Sequence, residues 1–334
     1  MRRLGSLLLV LMLGAAALLA TAWWWLDQPL GLASDTAELS IEPGTPPRAV
    51  AEAWVRAGVQ APPAWLYAWF RVSGDARRLR AGSYEIDRTA TPRSLLAKMV
   101  QGDEAFERVR LIEGWSFRQW RAELAKAPQL KPVSAGLSDA ELMARLGQPG
   151  VAPEGRFFPD TYVYSRGVSD LTVMRRAAQA MQLRLAAVWA ERDANLPLRS
   201  ADEALTLASI VEKETGTPAD RGRIAGVFVN RLRIGMPLQT DPSVIYGLGE
   251  AFDGNLRKRD LQTDTAFNTY TRKGLPPTPI AMPGLAALRA AVKPEATTAL
   301  YFVARGDGSS AFSADLSTHN RAVNQYQRQS AASR

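Results

Sequence analysis

The 334-residue chain predicts an α+β protein. It should comprise an N-terminal transmembrane helix, a small βααβ-type unit, and then a mixed, helix-rich domain with a small sheet. Three observations predict this. An uncharged run opens the chain. A strand–helix–helix–strand pattern follows it. Beyond residue 104 helical periodicity dominates, broken by short alternating segments. The length suits two domains, and 46% apolar residues are enough for a sizeable core.

Met1-Arg2-Arg3 precede an uncharged run from Leu4 to Leu26. Its core approaches the ~20 apolar residues a membrane-spanning helix needs. Arg2 and Arg3 mark the cytoplasmic end, and Trp23, Trp24 and Trp25 sit where an interfacial aromatic belt belongs. Residues 1–6 are therefore expected as a cytoplasmic tip and 7–26 as a membrane anchor, with lipid as partner and the body outside the cytoplasm. The rival is a cleaved signal peptide, with Ala20-Thr21-Ala22 as the small-residue site. The length of the apolar run and the tryptophans just beyond that site weigh against it. Both readings put the body outside the cytoplasm. Nucleic acid is thus not expected as a partner, despite the net charge of +8.

Residues 27–37 read as a polar linker containing Pro and Gly. The small unit spans 38–103. Glu38 to Ile41 alternates as a strand does, and Pro43-Gly44 is turn chemistry. Thr45 is expected to cap a helix with Pro46 in first position, running to Gly58. Pro62 to Val72 reads as a second helix and Leu79 to Ile86 as a strand. Thr91 to Gln101 is an amphipathic helix with Gly102 as its C-cap.

The larger domain spans 104–328. Residues 107–112 alternate as a strand. Residues 155–162 form a loop with an aromatic cluster, and Leu171 to Asp193 is one long helix. A further helix covers 202–215, with Gly216 and Pro218 as stop signals, and Ile224 to Leu232 gives another. Residues 329–334 are a polar tail.

The chain has no cysteine and one histidine, His319. Thiolate metal sites and a Cys nucleophile are excluded, a zinc site is disfavoured, and no Ser-x-x-Lys centre is present. Carboxylate chemistry remains, with neither cofactor nor metal expected. On the 202–215 helix, roughly 100° steps place Glu214 about 20° from Leu207, between Ile210 and Val211 on the apolar stripe. Glu212 and Lys213 point to other sides. An acid buried among apolar groups at a helix C-terminus is pushed toward its neutral form, as a general acid requires. Pairing with an arginine, or a solvent-exposed helix end, explains the same placement.

The stretch that follows is rich in Asn, Gln, Thr and Tyr, residue types that bond sugar hydroxyls and stack on sugar rings. Gln239, Thr240, Asp241, Tyr246, Asn268 and Tyr270 are the candidate groove residues. Turn formation by itself accounts for Asp241-Pro242 and Gly274-Leu275-Pro276-Pro277.

The strings LASIVEKET (207–215), VFVNRLRIGMPLQTDPSVIYGLG (227–249), FNTYTRKGLPPTPIAMPG (267–284) and LYFVARGDGSSAFSADLSTHN (300–320), with FFPDTY (157–162) upstream, resemble the endolytic murein transglycosylases of the MltG/YceG-like type. The resemblance implies that 38–103 is a LysM-like unit and that Glu214 is the catalytic acid. It implies peptidoglycan glycan strands as substrate. The bond cut is the β-1,4 linkage between N-acetylmuramic acid and N-acetylglucosamine, without water, leaving 1,6-anhydro ends. The muramic acid 6-hydroxyl then replaces the second carboxylate of a glycoside hydrolase. Glu212, Thr215, Asn230 and Arg231 would support the acid, and His319 either lies near it or is structural. Association with the cell-wall synthesis machinery, and termination of strand growth, are implied as well. Two alternatives stay open. A hydrolytic muramidase would need a second acid such as Asp241, Glu212 or Asp160. A non-enzymatic wall-binding scaffold would need only the small unit and the anchor.

Overall fold

The computed structural model describes residues 2–214 and 216–328, with side chains from Met12 to Gln327. Met1, Thr215 and 329–334 lie outside the described residues. The chain forms two units.

The first unit comprises the chain up to Arg108 together with Pro128–Lys131 and Val163–Val168. Helix α1 spans Arg2–Trp25. Among the described residues no helix is long and apolar enough to cross a membrane. Positions 7–11 of the expected span fall outside those with described side chains. Strand β1 (Thr36–Ile41) pairs antiparallel with β2 (Gly82–Asp87), Thr36 opposite Asp87 and Ile41 opposite Gly82. Between them lie α2 (Pro47–Arg56) and α3 (Pro63–Val72), and α4 (Pro92–Gln101) follows. The predicted βααβ order is thus present. Its core is Trp54, Leu66, Phe70, Tyr84, Leu95 and Met99, all essentially solvent-free.

Three expectations for this unit are corrected. Thr45 does not cap α2. The extended Pro46 holds the N-cap position, and the Thr45 hydroxyl donates to the Glu42 carbonyl instead. Residues 79–81 stay outside β2, because pairing begins only at Gly82. The stretch 27–37 is not a free linker. Leu26 and Leu30 are buried, Leu30 N–H donates to Ala90 at 2.7 Å, Leu32 bridges Val59, and Arg93 holds Asp27 at 2.8 Å. Two leucines among polar residues are enough to dock it.

The boundary at 103/104 is likewise too simple. The distant Arg166 reaches Glu38, Glu85 and Glu107, and this guanidinium ties 163–168 to the small unit. Strand β3 (Phe106–Arg110) pairs with β4 (Thr161–Ser165), and the chain changes unit within both strands.

The second unit is mostly helical. Helices α5 (Phe117–Lys126) and α6 (Asp139–Arg145) start at capping boxes built on Ser116 and Ser138. The core forms around α7 (Asp170–Ala190), α8 (Ala201–Glu214), α9 (Pro218–Arg233) and α12 (Leu285–Val292). Between α9 and α12 lie α10 (Asp241–Leu248) and α11 (Lys258–Gln262). The hairpin β5 (Tyr301–Ala304) with β6 (Ser310–Ser313), then α13 (Leu316–Val323), complete the unit.

Helix α8 is central. Every residue from Ala204 to Val211 is buried, so it has no solvent face over two turns, and the expectation of a single apolar stripe is corrected. Pro218 does not merely stop α8. It opens α9, where the missing N–H costs nothing.

Candidate active site

Glu214 is the last residue of α8. Its carboxylate accepts a hydrogen bond from the Thr240 hydroxyl. Thr240 stands at the N-cap of α10 but makes no side-chain cap bond. A hydroxyl that would ordinarily serve the helix end is given to the carboxylate instead.

The loop before α10 is held so that this can happen. Gln239 adopts φ +50, a left-handed conformation costing on the order of 1–2 kcal/mol for a non-glycine residue. Gln239 N–H bonds Thr269 O at 3.0 Å. Thr240 N–H bonds the Thr269 hydroxyl at 3.0 Å. Ser243, buried, bonds both Thr240 O at 2.8 Å and the Thr269 hydroxyl at 2.9 Å.

Burial pushes the Glu214 carboxyl up to about 7. The Thr240 bond opposes the shift, the Asp241 carboxylate adds to it, and the Arg231 guanidinium opposes it. Asp241 is itself held by the Tyr270 hydroxyl at 2.5 Å. The result is a desolvated acid beside a solvent-exposed carboxylate.

Arg231 is buried behind the acid. Its Nε donates to Leu300 O and its Nη1 to Leu238 O, each at 2.7 Å. It lies over the Tyr301 ring at 5.2 Å, and His319 stacks on that ring at 5.1 Å. His319 therefore belongs to the layer behind Arg231.

The other expected residues are engaged elsewhere. Asn268 is fully buried. Its amide donates to Asp260, Leu261 and Thr263 carbonyls, and its Oδ1 accepts Tyr270 N–H at 2.9 Å, so it shapes the loop that presents Thr269 and Tyr270. Asn230 donates to Thr297 O and Ala299 O. Glu212 accepts Gly284 N–H at 2.9 Å, and burial raises its carboxyl too. Thr215 lies outside the described residues.

Tyr246 turns to a residue absent from the sequence expectation, Glu154. Glu154 is buried. It accepts the Phe117 N–H at the start of α5 at 3.0 Å and the Tyr246 hydroxyl at 3.1 Å. The next residue, Gly155, takes φ +78, and a Cβ there would meet Pro279 at 2.5 Å, so the turn needs glycine. Nothing local marks Glu154, because a Pro-Glu-Gly turn carries no periodicity.

Burial raises Glu154 to about 7, above the ordinary unfolded value of roughly 4.3. Between those values the folded chain retains a proton that the unfolded chain releases. The stabilisation is therefore complete below the unfolded value and is lost as pH rises through the folded one. The loss is on the order of 3 kcal/mol. Glu154→Gln should narrow the difference in melting temperature between pH 5 and pH 8, as thermal unfolding at the two pH values will show.

The model of the YceG-like family matches residues 39–325, 287 of the 334 positions. The chain belongs to the YceG-like family. It is 32% identical over 269 residues to an endolytic murein transglycosylase of Bacillus subtilis (strain 168), covering 75% of this chain and 74% of that protein. A second endolytic murein transglycosylase, from Streptococcus pneumoniae serotype 2, is 34% identical over 156 residues, covering 45% of this chain and 28% of that one. The crystal structure of a yceG-like protein from Listeria monocytogenes aligns with a TM-score of 0.53 at 27% identity, covering 86% of this chain and 99% of that one. The family match takes in Glu154, Glu214, Thr240, Asp241 and Tyr270 together.

Proposed function

We propose that this YceG-like chain cuts peptidoglycan glycan strands as a lytic transglycosylase, with Glu214 as its single acid and base. One observation carries the assignment of Glu214: a desolvated carboxyl, raised to about 7, is gripped by Thr240. A carboxylic acid that keeps its proton near neutral pH can protonate a glycosidic oxygen.

The step balances without water. Glu214 gives its proton to O4 of the leaving N-acetylglucosamine as the C1–O4 bond breaks. The muramic acid 6-hydroxyl closes on C1, forming the C1–O6 bond. Its proton returns to Glu214, which is restored. Mass analysis of digested glycan strands should find 1,6-anhydro-muramic ends, and reducing muramic ends would overturn the reading.

A muramidase needs a second carboxylate. Asp241 is the acid that faces Glu214, whereas Glu212 is bonded to Gly284 N–H. Asp241→Asn therefore separates the reactions. For a transglycosylase it removes a negative neighbour, so Glu214 releases its proton at lower pH. The alkaline limb of the pH–rate profile then moves down, with a loss of roughly threefold at pH 7.5. A muramidase using Asp241 would lose activity at every pH.

The anchor belongs to the same proposal. The uncharged run 7–26 would hold the chain in the inner membrane with its catalytic region in the periplasm, near newly made strands and the machinery that makes them. Exposed Leu18, Leu19, Trp23 and Trp24 on α1 support it. The full chain should sediment with membranes, and a chain lacking residues 1–26 should not.

A further inference from the structure

A cavity of about 280 Å³ adjoins the Glu214 cluster and shares Thr269 with it. Thr269 holds Thr240, which bonds Glu214, so two threonines link the cavity to the acid. Ala266, Leu275, Pro276 and Pro277 line it beside the polar Asn268 and Thr269, and Arg272 and Lys273 add two positive side chains. Arg272 is already neutralised, since its two nitrogens grip Asp264 at 2.8 and 2.9 Å. Lys273 is exposed and has no anionic partner among the described residues. The cavity therefore offers an apolar share of lining from alanine, leucine and proline and one uncompensated positive charge.

We infer that this cavity receives the peptide borne by the muramic acid ring, with the first acidic residue of that peptide paired to Lys273. The inference rests on the glycan-cutting reading above. The hydroxyls and acetamido groups of the two sugars are neutral and have no need of an ammonium group. The lactyl-linked peptide is the substituent that carries carboxylates. Its small apolar first residue suits a wall of proline, leucine and alanine. The volume lies below the ~300–1,000 Å³ of a drug-sized pocket, room for one or two small residues and not for a sugar ring with its neighbours. The site would thus sense whether a strand still carries its peptides.

The test compares strands with intact peptides and the same strands stripped by an amidase, measuring kcat/KM for each with the full chain. The expected result is a preference of about tenfold for peptide-bearing strands, most of it in KM. In Lys273→Glu, and independently in Ala266→Trp, which fills the cavity, the ratio of the two substrates should collapse toward one. Equal cutting of both substrates by the wild type would overturn the inference and leave the transglycosylase reading standing, as would variants that keep the wild-type ratio. No cutting of either substrate would overturn both.

Discussion

Glu214→Gln is expected to lower the rate of glycan cleavage about 10³-fold or more, the scale of a general acid's contribution, equivalent to about 4 kcal/mol of lost transition-state stabilisation. The amide keeps the shape of the acid and its carbonyl can still accept the Thr240 hydroxyl, so binding of strands should persist while turnover stops. Anhydro-end formation measured beside strand binding will check both halves. The control is Glu212→Gln on the same helix. Glu212 uses its carboxylate to accept Gly284 N–H, a role that glutamine fills, so cleavage should survive. Full activity in the Glu214 variant with loss in the Glu212 variant would reverse the assignment. The melting temperature of Glu214→Gln should not fall, and above pH 7 it should rise. A carboxyl raised to about 7 costs the fold stability as pH rises from the unfolded value of roughly 4.3 through 7, and the amide removes that penalty.

The second large effect concerns Arg231. Its fork spans two carbonyls, the half-buried Leu300 O and the buried Leu238 O, at 2.7 Å each. Lysine keeps the charge but has one nitrogen at the end of its stem, and it cannot reach both. Arg231→Lys should therefore leave a buried carbonyl without a donor, at about 3 kcal/mol, and lower the melting temperature by about 8 °C. Leu238 immediately precedes the strained Gln239, so turnover should fall as well, through displacement of Thr240. Calorimetry and kcat measured on the same preparation will show whether the two losses move together. Unchanged stability would mean that the fork is dispensable.

Periodicity was enough to locate α8 and to mark Glu214 as an acid out of place, and the resemblance proposed its role. An acid among Leu207, Ile210 and Val211 looked exceptional on one stripe. In the fold Ala204 to Val211 are buried on every side, so Glu212 is desolvated too. What separates the two acids is their partners. Each has a carboxylate near it, Glu113 for Glu212 and Asp241 for Glu214, but Glu212 meets a backbone N–H and Glu214 a threonine hydroxyl. Neither meeting is local in sequence.

The polar richness of 238–270 was legible, and its division of labour was not. Asn268 looks like a sugar-binding amide and Asn230 like a support for the acid, yet both are committed to backbone carbonyls. An irregular buried segment has no helix or sheet to satisfy those carbonyls and must recruit side chains. Thr269 and Ser243, ordinary in the sequence, hold the loop under Thr240. Glu154 escaped notice because its partners, Phe117 and Tyr246, lie 37 and 92 residues away.

The sequence by itself determined the α+β class, the βααβ order of the small unit, the long helices α7 and α8, the family strings and Glu214 as the candidate acid. Each of these is written in short-range pattern, where alternation, helical period, caps and turn residues act within a few positions. Tertiary structure alone decided that 27–37 is packed, that Arg166 brings the sequence-distant segment 163–168 into the small unit, and that Thr240, Asp241 and Tyr270 converge on Glu214. Those outcomes depend on desolvation and on hydrogen bonds between residues far apart in the chain. Glu214 was visible as an acid in an apolar helix, and only the fold could give it a raised pKa and a partner.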